Sequence, residues 1–178
     1  YEAFVEGWVD LTRKYSLGNP LDPETTLGPV VRTAAADEIR RQVAATVAAG
    51  ARAVIDEKEF PASRPGTPYL APQVLLGVDH TMPVMQEEIF GPVLSVMTFR
   101  TPEEAFERAN NIPYGLSAGV WTDKGSKIFK MVNKLRAGVV WANTYNKFDP
   151  TSPFGGYKES GFGREGGLQG LAAYCQVE

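Results

Sequence analysis

The sequence predicts an α/β fold, a layered and mainly parallel sheet with flanking helices. Three observations predict it. Between Val93 and Ala142 the pattern runs strand, helix, strand, helix, strand at short spacing, which is the signature of parallel layering. Upstream of it, two stretches carry apolar residues at helical spacing, each followed by Gly- and Pro-rich punctuation. Apolar residues make up 43% of the 178 and charged residues 22%, a balance that supports one domain with a real core.

Each element follows from its residues. Phe4, Trp8, Leu11 and Tyr15 recur at helical spacing, so residues 2–15 are read as a helix that stops near Gly18-Asn19-Pro20. Residues 21–33 read as loop. Ile39, Val43 and Val47 mark a second helix, closed by Gly50. Ala53-Val54-Ile55 is a short strand, 56–68 a polar surface excursion, and Tyr69 to Leu76 a further strand. Val93 to Phe99 is β-branched and apolar. After it, Thr101 suits a helix N-cap, Pro102 the first helical position and Glu104 the reciprocal place in a capping box. That helix runs to about Asn110. Ser117 to Trp121 is a strand, and Ile128, Met131, Val132 and Leu135 are the stripe of another helix. Val139 to Ala142 reads as a buried strand, 144–167 as a Gly-rich loop region, and the alternating stretch Leu171 to Val177 as a final short strand.

Charge and composition exclude several function classes. The formal net charge is -3, with neither a basic footprint for nucleic acid nor a polybasic patch for a membrane surface. No apolar run approaches the roughly 20 residues of a membrane helix. Cys175 is the single cysteine and His80 the single histidine. That rules out an internal disulfide framework and a Cys/His zinc site, and it fits a reducing, cytoplasmic setting with no metal. The chain opens at Tyr1 inside an amphipathic pattern, which leads us to expect a longer parent.

Two segments are specific. Gln86-Glu87-Glu88-Ile89-Phe90-Gly91-Pro92-Val93 precedes a strand, and Ser152-Pro153-Phe154-Gly155-Gly156-Tyr157-Lys158-Glu159-Ser160-Gly161 continues through Gly163-Arg164-Glu165. Both resemble signatures of the aldehyde dehydrogenase superfamily, in the same order and at similar separation. Leu27 to Val30, Tyr69 to Leu75, Asn110-Asn111 with Tyr114 to Leu116, and Ala137-Gly138 with Trp141 and Asn143 match more weakly. The resemblance covers essentially the whole chain. It implies the C-terminal portion of that family's catalytic domain over residues 1–170, with 171–178 as a C-terminal interface strand used in oligomerisation.

The resemblance also implies an activity, the oxidation of an aldehyde to a carboxylic acid with NAD or NADP. In that family a cysteine thiolate attacks the carbonyl, hydride passes to nicotinamide, and a glutamate-activated water releases the acyl group. The family's nucleophile, general base and separate cofactor domain lie upstream of the segment that Tyr1 resembles. No catalytic residue is therefore expected in this chain, which by itself should be inactive and bind the cofactor weakly or not at all. The expected partners are a small-molecule aldehyde and further copies of the same chain. The alternative is a non-catalytic interaction or oligomerisation module of the same fold. A hydrolase using Ser152 or Cys175 with His80 has little in the sequence to support it.

Individual residues carry these expectations. A carboxylate with two acceptor oxygens grips a vicinal diol, and Glu88 resembles the family glutamate that holds the nicotinamide ribose. Phe90 resembles the neighbour that packs by that ring. Phe148 and Phe154 resemble aromatic positions lining the aldehyde tunnel, where apolar walls hold the substrate body. The plain alternative for Glu88 is a solvated glutamate at a strand entrance, and for Phe148 and Phe154 a place in the core. Glu87 reads as structural, and Asn143 as orienting a loop. Glycines 155, 156, 161, 163, 166 and 167 fit neither a dinucleotide fingerprint nor a P-loop and read as tight turns. Cys175 has neither a neighbouring histidine nor a helix start to activate it, and His80 reads as structural.

Overall fold

A computed structural model describes residues 1–176, and the chain divides into two compact units, Tyr1–Thr98 and the residues from Phe99 onward. The first unit opens with α1 (Glu2–Thr12). Its Phe4, Trp8 and Leu11, with Tyr15 beyond, are not the face that meets the core: they are 56%, 39%, 62% and 48% exposed. The adjacent Val5 and Val9 pack instead against Ile55, Phe60, Ala71, Val74 and Leu76. The helix ends earlier than the periodicity suggests because the Lys14 and Tyr15 amides bond three residues back, to Leu11 O and Thr12 O, in a tightened final turn. α2 (Thr33–Ala48) buries Ala36, Ile39, Gln42 and Thr46 and ends at Gly50, whose φ of +111° closes the helix.

β1 (Arg52–Ala53) lies antiparallel to β2 (Gln73–Leu76), and β2 lies parallel to β3 (Val93–Val96), in register Gln73 to Val93. The central strand β2 is buried throughout. It starts later than Tyr69 because Pro72 has no N–H to donate, and the ladder begins where Gln73 N donates to Pro92 O at 2.8 Å. The 56–68 excursion contains a single 3-10 turn, Glu57–Glu59, capped by Asp56. Arg40 pins the far end of that excursion by donating to Arg64 O at 2.9 Å and Tyr69 O at 2.7 Å. A short helix that the sequence reading did not include, α3 (Pro83–Gln86), stands between β2 and β3 with Pro83 at its first position.

The second unit begins with α4 (Pro102–Asn110). Thr101 Oγ1 accepts from Glu104 N at 3.2 Å, as the capping pattern predicts. Glu104 returns its bond to Arg100 N, at 2.7 Å, rather than to the cap residue itself. β4 (Tyr114–Gly115) and β5 (Ser117–Val120) follow, then α5 (Gly125–Lys134) and β6 (Val139–Ala142). β5 and β6 pair in parallel across the α5 crossover, Ser117 opposite Val139. β7 (Tyr157–Lys158) pairs antiparallel with β4. The α/β layering is thus as expected. The four-residue pairings are parallel and the two-residue pairings antiparallel, divided among small sheets rather than one continuous sheet. β6, expected to be buried, is only half-buried.

The strand expected over 171–177 is not seen among the described residues. Leu171 and Ala172 close α6 (Gly167–Ala172), and Tyr174 N turns back to Leu171 O at 2.9 Å. Gly166 and Gly167, at φ +72° and +60°, swing the chain into this helix, a path open to glycine at little cost. Val177 lies outside the described residues. Among the described residues no helix is long and apolar enough to cross a membrane.

Candidate functional site

In the first unit, residues 87–92 form an extended segment between α3 and β3, held at both ends. At its start, Glu87 N donates to Pro83 O at 3.0 Å, and Gln42 Nε2 on α2 donates to Glu87 Oε2 at 2.7 Å. At its end, Gly91 lies so close to α2 that a Cβ there would stand 2.6 Å from Ile39 Cδ1. Between these anchors Glu88 is exposed and Phe90 is 79% exposed. The two sequence-predicted cofactor residues therefore sit two positions apart on a tethered strip, as an outward carboxylate beside an outward ring. A carboxylate so placed can accept from both hydroxyls of a ribose, and the ring offers a flat apolar surface to a planar heterocycle. These residues fit such a ligand.

In the second unit, Phe148 and Phe154 come together, ring centroids 5.0 Å apart and edge to face. Both also contact Trp141, which the sequence reading had placed in the strand without a role at the site. Its ring lies 5.6 Å from Phe148 and 6.5 Å from Phe154. Tyr145 extends the group, 4.9 Å from Trp141 and 6.4 Å from Trp121. The sequence signal for this cluster was the run Trp141, Tyr145, Phe148 at intervals of four and three, in a stretch that is strand and loop rather than helix.

Backbone contacts fix these rings. Trp141 Nε1 donates to Lys147 O at 2.9 Å. A Cβ on Gly119 would meet Trp121 Cζ3 at 2.5 Å, so the bare glycine makes room for that indole. Asn143 has φ +53° and reads both backbone groups of Thr122, accepting from its N at 2.9 Å and donating to its O at 3.0 Å. That is the loop-orienting role expected of it. Asp149 accepts from the amide and hydroxyl of Thr151 at 2.8 and 2.7 Å. Those bonds, the hydroxyl first, hold its carboxyl below the usual aspartate range.

Phe154 itself is clamped, its N and O each bonded to Glu165 at 2.7 Å. The glycines after it serve both uses: Gly161, Gly166 and Gly167 turn at positive φ, as expected, while Gly155 takes a close approach, since a Cβ on Gly138 would fall 1.6 Å from its O. Lys158 and Arg164 pin loops, as their type suggested. Lys158 Nζ donates to Asn110 O at 2.7 Å and Ile112 O at 3.1 Å, while Arg164 Nη1 donates to Gly156 O at 2.9 Å and lies over the Tyr157 ring.

The remaining candidates stand apart from these groups. Cys175 is a free, exposed thiol just beyond α6. His80 sits in the turn before α3 with both ring nitrogens buried and, among the described residues, without a hydrogen-bond partner. Among the described residues no three His, Cys, Asp or Glu side chains cluster as a metal site would require.

Comparison with known proteins places this geometry. The family model described as "Aldehyde dehydrogenase family" matches residues 1–178. A betaine aldehyde dehydrogenase of Mesorhizobium japonicum is 40% identical over 184 residues, a match covering 100% of this chain and 37% of that protein. The crystal structure of a betaine aldehyde dehydrogenase from Staphylococcus aureus in complex with NAD+ superposes with a TM-score of 0.87 at 34% identity, over 97% of this chain and 35% of that one. An aldehyde dehydrogenase variant from Bacillus cereus gives a TM-score of 0.90 at 37% identity, over 100% of this chain and 36% of that one. The chain thus spans little more than a third of the length of the relatives it matches, and agrees with them in both sequence and fold along nearly all of its own. It belongs to the aldehyde dehydrogenase family.

Proposed function

We propose that these residues form part of an NAD- or NADP-dependent enzyme that oxidises an aldehyde to a carboxylic acid. The observation that carries the reading is the tethered strip from Glu87 to Gly91, which presents the Glu88 carboxylate and the Phe90 ring outward from a rigid base. Glu88 would hold the nicotinamide ribose by accepting from its hydroxyls, and Phe90 would pack beside the ring. The bound cofactor would supply the hydride acceptor that the oxidation of an aldehyde requires. Phe148 and Phe154, with Trp141 behind them, supply an apolar wall for the body of the aldehyde.

The nucleophile and general base belong to residues outside these 178, and this chain alone neither turns over aldehyde nor binds the dinucleotide tightly. The aromatic cluster supports an aldehyde carrying an apolar or cationic group, since ring faces attract a desolvated ammonium. The names of the relatives make betaine aldehyde the first substrate to try. Self-association is part of the same reading: Leu168, Leu171 and Tyr174 are 81%, 56% and 90% exposed near the C-terminus, an apolar surface that a second copy would cover.

The test follows reduced-nicotinamide absorbance. In the complete enzyme, Glu88→Gln should raise the KM for the cofactor, and Phe154→Ala should raise the KM for the aldehyde. The chain of 178 residues should give no signal with NAD, NADP and a panel of aldehydes. An unchanged cofactor KM in Glu88→Gln refutes the ribose role. Turnover by the isolated chain that survives Cys175→Ala and repurification refutes the placement of the nucleophile.

A further inference from the structure

We infer that Gln42 is a positioning residue for cofactor binding, acting through Glu87 on the carboxylate of Glu88. The inference rests on the ribose role proposed for Glu88 and adds the device that aims it.

Gln42 lies on the buried face of α2 between Ile39 and Thr46 and is only 5% exposed. A buried amide needs its hydrogen bonds. Its Nε2 reaches out of the core to Glu87 Oε2 at 2.7 Å, across 45 residues of sequence. Thr46, 0% exposed, caps the backbone carbonyl of the same residue, its Oγ1 donating to Gln42 O at 2.8 Å, so the side-chain amide has Glu87 as its partner. Glu87 is exposed, so nothing about its own burial fixes it; the bond from Gln42 does. Glu88 is the next residue, and Gly91 presses on Ile39 one turn back along the same helix. α2 therefore grips the strip at Glu87 and at Gly91, and the ribose-holding carboxylate is suspended between the two grips.

Competition sharpens the role. Arg41 neighbours Gln42 and is paired with Glu38, yet its guanidinium also feels the charge of Glu87. Without the amide, the Glu87 side chain is free to swing toward Arg41, and the strip keeps only the Pro83 bond and the Gly91 contact to hold the backbone at Glu88. A misaimed carboxylate loses one of its two hydroxyl contacts, which weakens cofactor binding more than it alters chemistry once the cofactor is seated.

The experiment uses the complete enzyme. Gln42→Met keeps the length and apolar stem of the side chain and removes the donor. It should raise the cofactor KM and the dissociation constant from fluorescence titration by about tenfold, within the range for partners in one hydrogen-bonded network. The aldehyde KM should stay within about twofold, since uniform loss of packing would move both. Glu87→Gln keeps an acceptor for the Gln42 amide and should bind cofactor nearly as the parent does. In a Glu88→Gln background, Gln42→Met should add less than about twofold, because the residue it aims is already disabled. If Gln42→Met does not fold, Glu87→Ala breaks the same bond from the solvent side and carries the same expectation. An unchanged cofactor KM in the folded variant overturns the inference, as does an equal effect with and without the Glu88 carboxylate. If Glu88→Gln alone leaves cofactor binding intact, the ribose role falls and the inference with it.

Discussion

Replacing Gln73 with methionine nearly conserves the volume of a side chain that is only 7% exposed while deleting its hydrogen bonds. Gln73 Oε1 accepts from the amides of Val54 at 3.1 Å, Ile55 at 2.9 Å and Val74 at 2.9 Å, and its Nε2 donates to Ile55 O at 3.0 Å. One amide thus stitches the chain beyond β1 to the central strand β2. Val54 N has a second acceptor in Val74 O at 3.1 Å, so its loss is small. The N–H and C=O of Ile55 and the N–H of Val74, residues 4% and 1% exposed, lose that partner. Each buried orphan costs about 1–3 kcal/mol, giving roughly 3–9 for the three. The added apolar burial of methionine offsets about 1 of that. The expected net loss is at least about 3 kcal/mol, of the size found when a buried hydrogen-bond network is broken.

The loss is measured by urea denaturation of the protein, with amide exchange at Ile55 as the local probe. At 1.4 kcal/mol per factor of ten, protection there should fall by about a hundredfold. Gln73→Glu separates bonding from shape. Burial raises the pKa of the new carboxyl, and a group with a raised folded pKa contributes stability below its unfolded value that is lost as pH rises. The glutamate variant should therefore be closest to the parent below about pH 4.3, where the acid is protonated in both states and in the fold both accepts and donates, and weaker as pH rises toward 8. A loss under about 0.5 kcal/mol for Gln73→Met, the scatter of ordinary surface changes, would refute the reasoning.

Two further outcomes test the second unit. Gly138→Ala places a methyl 1.6 Å from Gly155 O, a backbone atom that no side-chain rotation can move aside, so stability should fall by about 3 kcal/mol or more in thermal unfolding; a variant that melts within about 2 °C of the parent contradicts the contact. The carboxyl of Glu104 is held below the usual glutamate range, first by the Arg100 amide and then by Arg108. A depressed folded pKa gives stability that is present above about pH 4.3 and lost as pH falls through the lower folded value. NMR shifts in the first turn of α4 should move in that window, and Glu104→Gln should flatten them; a parent that shows no such acid transition speaks against the cap.

How much of this was legible in the sequence depended on how far apart the cooperating residues lie. The capping of α4 was readable because Thr101 and Glu104 are three positions apart and their chemistry is local. The parallel pair β5–β6 was readable because a ten-residue helix separates two short apolar runs. Periodicity showed that α1 is a helix and left its buried side open, since both the Phe4–Trp8–Leu11 stripe and the Val5–Val9 stripe keep helical spacing and only the packed partner chooses between them. The alternation from Leu171 to Val177 suits a strand, yet the two positive-φ glycines just before it start a helix that takes Leu171 and Ala172.

The candidate site repeats the lesson. Glu88, Phe90, Phe148 and Phe154 were named from motifs, whereas the groups that hold them were not. Gln42 reaches Glu87 over 45 residues, and Gly138 meets Gly155 backbone to backbone from a different element. Neither pairing leaves a local pattern in the sequence, because a glutamine on an apolar helix face and a glycine before a strand each have ordinary local explanations. A motif thus records the residues proposed to meet a ligand. The residues that fix its geometry are set by tertiary contact, and in this chain a buried amide on α2 and a pair of touching backbones do that work.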